Sequence, residues 1–288
     1  MIKTANLTKF YGSTKGVENL SLEVEKGQVF GLLGPNGAGK TTTIRLLMGL
    51  MKPSSGSATV NNYDCWKQNV EVNQISAYIP GDVHLYRNET GSSLINLYGG
   101  IRKNKKLAKN LVERLDLETS KKVKNLSKGN RQKLAIVLAL MFEPEILILD
   151  EPTSGLDPLM QQEFYKIIKE FKEKAATVFI SSHFLPEVEK LCEKVGILKD
   201  GSLIAIEDVE KLSKKHVSEL NVTFEQKPDL SKYKIPQITK ITHILNNHYQ
   251  MKIKGEIDPV IKVLSKDNIK DLSFEHATLE EIFLEHYS

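Results

Sequence analysis

The sequence predicts an α/β fold built on a mostly parallel sheet, and three observations carry that prediction. Ile146 to Asp150 and Thr177 to Ser181 are short continuous apolar or β-branched runs. Such runs suit strands covered on both faces. Between them, Asp157-Pro158 opens a helix, with Met160, Phe164, Ile167, Ile168 and Phe171 recurring at helical spacing. Finally, a glycine-rich turn, Gly34 to Gly39, stands between a strand pattern and a helix pattern. Strand, helix and strand in alternation define the class.

The chain has 288 residues, enough for one to two domains and a core that needs no disulfides. At 40% hydrophobic and 26% charged, collagen-like, mucin-like and disordered classes are excluded. A net charge of +4 with a pI of about 8.7 falls short of a dedicated nucleic-acid domain. Two cysteines, Cys65 and Cys192, cannot build a disulfide scaffold, which favours a reducing compartment. Met1-Ile2-Lys3 runs straight into a strand pattern, so no leader peptide is expected. The longest apolar run, Leu134 to Phe142, ends at Glu143-Pro144 and reads as a buried helix too short to cross a bilayer.

The remaining elements follow in order. Ile2 to Leu7, Leu20 to Val24 and Gln28 to Leu33 read as strands, and a helix follows from about Lys40 to Leu50. After the turn residues Met51 to Gly56, Ser57 to Val60 and Gln74 to Ile79 read as strands, the second stopped by Pro80-Gly81. From about Glu89 to Phe142 the pattern is helical and lysine-rich, giving a helical subdomain over about 85–145. Arg102 to Lys109 and Lys121 to Lys124 read as a solvated basic face. Asp208 to Lys215 reads as a charged helix that closes a first domain, 1–215. Residues 216–288 carry a net charge of −2 against +6 for the rest. Alternation at Val217 to Phe224 and Tyr249 to Ile253, a turn at Asn246-Asn247, and short helices at Pro259 to Leu264 and Leu279 to Tyr287 predict a small α+β accessory domain.

The strongest chemical signal is Gly34-Pro35-Asn36-Gly37-Ala38-Gly39-Lys40-Thr41, which fits G-x-x-x-x-G-K-[ST] in its strand-to-helix context. The glycines let successive backbone N–H groups point at phosphate oxygens, and the helix that follows presents its positive end to the same anion. Lys40 is placed to reach the β- and γ-phosphates and Thr41 to offer a hydroxyl to Mg²⁺. The chain therefore reads as a P-loop NTPase. The second signal is Ile146 to Glu151, an apolar strand ending in two carboxylates where α/β sheets bind ligands. Asp150 is placed to hold Mg²⁺, and Glu151 to orient and deprotonate a water. The third signal is Leu126-Ser127-Lys128-Gly129-Asn130-Arg131-Gln132, ahead of a helix and about twenty residues before Asp150.

With these motifs in this order, residues 1–212 resemble the ATP-binding cassette (ABC) family in its transporter ATPase subunits. The third motif is a variant of the family's LSGGQ: Ser127 and Gly129 are kept, while Lys128 and Asn130 replace Gly and Gln. The resemblance implies ATP and Mg²⁺ as ligands. It implies Lys40, Glu151 and His183 in catalysis, and Thr41 and Asp150 at the metal. It implies nucleotide contacts from Tyr11, which stacks on adenine, from Gly34 to Thr42, and from Ser127 and Gly129. Thr42 belongs to that set, and Ser154 to Asp157 match the loop that follows the catalytic Glu. The family's Gln after the strand ending at Pro80 is missing; Gly81 and Asp82 follow instead. Two options are open there: Asp82 serves the metal, or water does.

The resemblance also implies a head-to-tail homodimer, or a heterodimer with a second ATPase, that closes on ATP. It implies a transmembrane permease partner and a place on the cytoplasmic face of the membrane. No nucleic acid is expected. The variant motif, the missing Gln and the Leu279 to Phe283 ending look most like ATPases of bacterial multidrug, antibiotic or bacteriocin-resistance exporters. The competing reading is a soluble ABC ATPase acting on ribosomes, DNA or cofactor assembly. Against it, one cassette is present, and the 85 residues from Thr41 to Leu126 leave no room for a long coiled coil. A GTPase is disfavoured because no N-K-x-D sequence occurs.

Overall fold

In the computed structural model, residues 1–210 and 218–275 are described, and the chain divides into two compact units, Met1–Ile206 and Glu207–Ser288. The domain boundary expected near Lys215 and the helix expected over Leu279 to Tyr287 lie outside the described residues.

The first unit holds two sheets. One is antiparallel: β1 (Ile2–Tyr11), β2 (Thr14–Val24), β4 (Ser55–Val60) and β5 (Tyr63–Asp64), in the order β2-β1-β4-β5. The other is six-stranded, in the order β10-β9-β3-β8-β7-β6. Its members are β3 (Val29–Leu33), β6 (Ser76–Ile79), β7 (Ile146–Asp150), β8 (Thr177–Ser182), β9 (Lys194–Lys199) and β10 (Ser202–Asp208). From β9 through β6 neighbouring strands run parallel. Every residue of β3, β7 and β8 is buried, which is why their sequences are continuous apolar runs rather than alternations. Phe30 and Phe179 stack at 5.6 Å between ring centroids and tie β3 to β8.

The helices are punctuated by their own sequences. α1 (Lys40–Leu47) follows the glycine loop and buries Ile44, Leu46 and Leu47. α2 (Asn69–Ile75) corrects the long strand expected from Gln74. Gln74 and Ile75 complete a helix that buries Val72, and β6 begins only at Ser76. α3 (Gly91–Arg102) starts on Thr90, whose hydroxyl accepts from Ser93 N. α4 (Ala108–Arg114) and α5 (Lys128–Leu140) complete the helical segment. α5 buries Leu134, Ile136, Val137, Leu138 and Leu140, so the longest apolar run is indeed a core helix. α6 (Pro158–Glu173) is capped by Asp157, which accepts from Met160 N at 3.0 Å, and buries Phe164, Ile167, Ile168 and Phe171. α7 (Leu185–Leu191) follows β8. Among the described residues no helix is long and apolar enough to cross a membrane.

One ion-pair cluster links α4 to α6. Arg114 donates through Nε to Glu163 at 2.6 Å and through both Nη atoms to Glu170 at 2.7 and 2.8 Å. These hydrogen bonds hold the Glu163 carboxyl below its ordinary range. Arg114→Met is expected to cost about 0.5–1.5 kcal/mol at neutral pH, because it removes the hydrogen bonds to Glu170 and leaves the half-buried Glu163 carboxylate to Lys166 alone. The folded pKa of Glu163 lies below the unfolded value of about 4.3, so this contribution is present above that pH. It is lost as pH falls through the lowered folded value. Urea midpoints of the two proteins should therefore differ at pH 7 and converge in acid. Equal midpoints at pH 7 would reduce the cluster to a surface pair.

The second unit contains the antiparallel sheet β12-β13-β11-β14. Its strands are β11 (Ser218–Phe224), β12 (Ile238–Leu245), β13 (His248–Ile253) and β14 (Ile269–Glu275). Leu220, Val222 and Phe224 alternate inward on β11 and Tyr249, Met251 and Ile253 on β13. Val260 and Leu264 of α8 (Asp258–Leu264) join the same core. Asn246, at φ 51°, turns β12 into β13.

Candidate functional site

The glycine loop is forced by close backbone contacts. A Cβ on Gly39 would lie 2.5 Å from the Gly16 carbonyl oxygen, and its φ is +106°, a conformation costly for any side chain. A Cβ on Gly34 would lie 2.6 Å from Leu198 O. Pro35, Asn36 and Gly37 remain exposed, Ala38 is buried, and Thr41 is exposed at the first turn of α1. Lys40 is buried inside the loop, and its ammonium donates to Gly34 O at 2.8 Å and Pro35 O at 3.0 Å.

The acidic side faces this cradle from the ends of β7 and β8. Asp150 is 1% exposed, and Oδ1 accepts a short hydrogen bond from the Ser181 hydroxyl. Oδ2 is buried with no hydrogen-bond partner. An orphaned carboxylate oxygen of this kind is costly, and a hard cation satisfies it. The donor set therefore fits Mg²⁺, with Asp150 and Thr41 as the residues able to hold it. Glu151 turns out of the strand in a left-handed conformation, φ 46°, fixed by its N–H on Ser181 O at 3.1 Å. Its Oε1 lies 3.6 Å from Lys40 Nζ and 3.0 Å from His183 Nδ1. Three residues from three distant stretches of chain thus converge on one oxygen. Burial pushes the Lys40 ammonium below its ordinary pKa, and the Glu151 charge opposes that shift.

Tyr11 stands beside the loop, half exposed, with its hydroxyl 3.3 Å from Thr42 Oγ1 and its ring edge where a Cβ on Gly16 would meet it at 2.8 Å. Ser127 caps α5 by accepting from Asn130 N at 3.2 Å. Ser127 and Gly129 line a separate cleft with Asp116, Asn130, Lys133 and Asp157.

Residues 17–154 match the ABC transporter family. The chain is also 38% identical to the bacitracin transport ATP-binding protein BcrA of Bacillus licheniformis, over 94% of this chain and 95% of that protein. The chain belongs to the ABC transporter family of ATP-binding proteins. It is 37% identical to the linearmycin resistance ATP-binding protein LnrL of Bacillus subtilis, over 72% of this chain and 68% of that one. Among solved structures it is similar to an ATP-binding subunit of an ABC transporter, with a TM-score of 0.68 and 30% identity over 74% of this chain and 91% of that one. It is also similar to the dimeric post-hydrolysis state of the cassette MJ0796 bound to ADP and Pi. That match has a TM-score of 0.65 and 25% identity over 73% of this chain and 99% of that one. The chain is thus an ABC ATPase.

The structure does not bring Asp82 to the carboxylates of this ABC ATPase. Asp82 is 89% exposed and lies 3.7 Å from His84 Nε2. Gly81 takes the place against Asp150: a Cβ there would lie 3.3 Å from Asp150 Oδ2. An Asp82 turned to solvent in the nucleotide-free chain leaves both options open at this position.

Several participants were not singled out from the sequence. Ser181 orients Asp150 and Glu151 together. Gln132 donates to Pro152 O at 2.7 Å in a buried contact. Glu187 is buried behind the pair, with Ser182 and Thr153 hydrogen-bonding to it, and burial pushes its carboxyl up. Ser181 and Ser182 end a buried strand just before His183; that pairing was the available signal for Ser181 and Ser182. Gln132 closes the third motif but its contact with Pro152 shows only in the fold, and Glu187 sits on a helix and carries no local signal.

Proposed function

We propose that this chain powers an exporter of antibiotic or drug-like molecules, bound at the cytoplasmic face of the membrane to a separate transmembrane subunit. The observation that carries the catalytic part is the convergence of Lys40 and His183 on Glu151, beside the unpartnered oxygen of Asp150. In the free chain the Lys40 ammonium is satisfied by two carbonyls and partly neutralises Glu151. A bound nucleotide phosphate draws Lys40 away, since an anion outcompetes neutral carbonyls. That releases Glu151 to accept the proton of an attacking water, while His183 holds its carboxylate in register. Asp150 and Thr41 would hold Mg²⁺, which supplies charge neutralisation at the phosphates. Ser127 and Gly129 would meet the nucleotide of a second copy, through the N-terminal end of α5.

The export reading is supported by the names of the relatives, and an apolar groove on the first unit is suited to seat the transmembrane subunit. It is lined by Pro80, Val83, Leu85, Tyr98, Ile101 and Phe142. Deleting the gene should raise sensitivity to antibiotics of the bacitracin or linearmycin classes, and the wild type but not Glu151→Gln should restore resistance. Unchanged sensitivity across those classes would sink the export assignment.

We infer that water, rather than Asp82, completes the metal shell beside Asp150, since Gly81 leaves room there. Asp82→Ala should leave the Mg²⁺ concentration for half-maximal ATPase within about twofold of wild type. A shift of about tenfold or more would return Asp82 to the metal in the closed state.

A further inference from the structure

Lys128 stands where the family has glycine, and it is the first residue of α5. A cation is disfavoured at a helix N-terminus, where the exposed N–H groups and dipole are already positive. Its side chain does not simply extend into water. The ammonium donates to Ser154 Oγ at 3.2 Å. Its methylenes lie where a Cβ on Gly155 would meet them, at 3.2 to 3.4 Å.

Two neighbouring contacts act on the same loop. A Cβ on Gly129 would lie 2.7 Å from Gly155 O, so helix and loop are in backbone contact. One turn further on, Gln132 holds Pro152 O from inside. The loop itself is a pair of tight turns, with Ser154 N on Glu151 O at 3.1 Å and Leu156 N on Thr153 O at 3.0 Å. A continuous run of bonded atoms therefore leads from Lys128 through Ser154 to the backbone of Glu151. Gly155, at φ +82°, offers no side chain of its own to hold the turn.

We propose that Lys128 is a positioning residue that clamps the loop after Glu151 to the first turn of α5 through Ser154. The clamp makes the helix end that carries Ser127 and Gly129 move together with the carboxylate of the same chain. A glycine at 128 leaves that coupling to the backbone contact and Gln132 alone. The inference rests on Glu151 being the base.

The test is steady-state ATPase of the full chain with Lys128→Met, Ser154→Ala, the double variant and Lys128→Arg, with thermal midpoints measured beside it. Each single variant should lower kcat by about three- to tenfold and leave the KM for ATP within about twofold. The double variant should be no slower than the slower single one, since both break the same contact. Lys128→Arg should recover most of the rate. Independent, multiplicative losses in the double variant would overturn the clamp. So would a silent Ser154→Ala beside a raised KM in Lys128→Met, which would place Lys128 on phosphate instead. A normal rate in Glu151→Gln would sink the base assignment; a slow Glu151→Gln with multiplicative Lys128 and Ser154 losses would sink only this proposal.

Discussion

Glu151→Gln should lower ATP turnover by about 10²–10⁴-fold while leaving ATP binding intact. The amide fills the same space but cannot take a proton from water. The backbone that positions it is unaffected, because the Glu151 N–H stays on Ser181. The substitution also removes the negative charge 3.6 Å from Lys40, so the ammonium is freer to meet phosphate and affinity should not fall. Single-turnover hydrolysis and equilibrium nucleotide binding, measured on the same preparation, separate the two effects. Turnover within about threefold of wild type would remove Glu151 from the role.

Lys40→Met has the opposite signature. ATP affinity should fall by about 100-fold or more, since charge-assisted contacts to two phosphates are lost. The nucleotide-free fold should not weaken in step. The buried ammonium is held at a desolvation cost that lowers its pKa, and methionine fills the same volume without that cost. A thermal midpoint within a few degrees of wild type, beside lost binding by calorimetry, is the expected pair. A large fall in the midpoint would mean that Lys40 chiefly holds the loop together through Gly34 and Pro35.

How far the sequence reaches is clear from particular elements. Ile146 to Asp150 is the strand β7 to the residue, because a strand buried on both faces leaves an uninterrupted apolar run. Asp157-Pro158 marks the start of α6 and Ser127 that of α5, because caps are local chemistry. The helix α2 was hidden, since Asn69–Ile75 buries only Val72 and has no apolar stripe to read. The strands β9, β12 and β14 were also hidden; β12 and β14, the outer strands of the second unit's sheet, lack the inward alternation of β11 and β13. At the site, Lys40, Asp150 and Glu151 were legible because their motifs are contiguous. The placement of Gly81 against Asp150 was not, since direction at a turn is a three-dimensional property. The same holds for Lys128 and Ser154, which lie 26 residues apart and meet only in the fold.

The most direct test of ATP-driven closure is the mass of Glu151→Gln in solution by light scattering, with ATP-Mg²⁺ and then with ADP-Mg²⁺. Hydrolysis is slow in this variant, so each nucleotide stays in place during the measurement. A dimer with ATP and a monomer with ADP is the expected result. It requires the γ-phosphate to bridge Lys40 of one chain and the Ser127–Gly129 turn of another. A monomer at saturating ATP, in a variant that demonstrably binds it, would contradict the composite site.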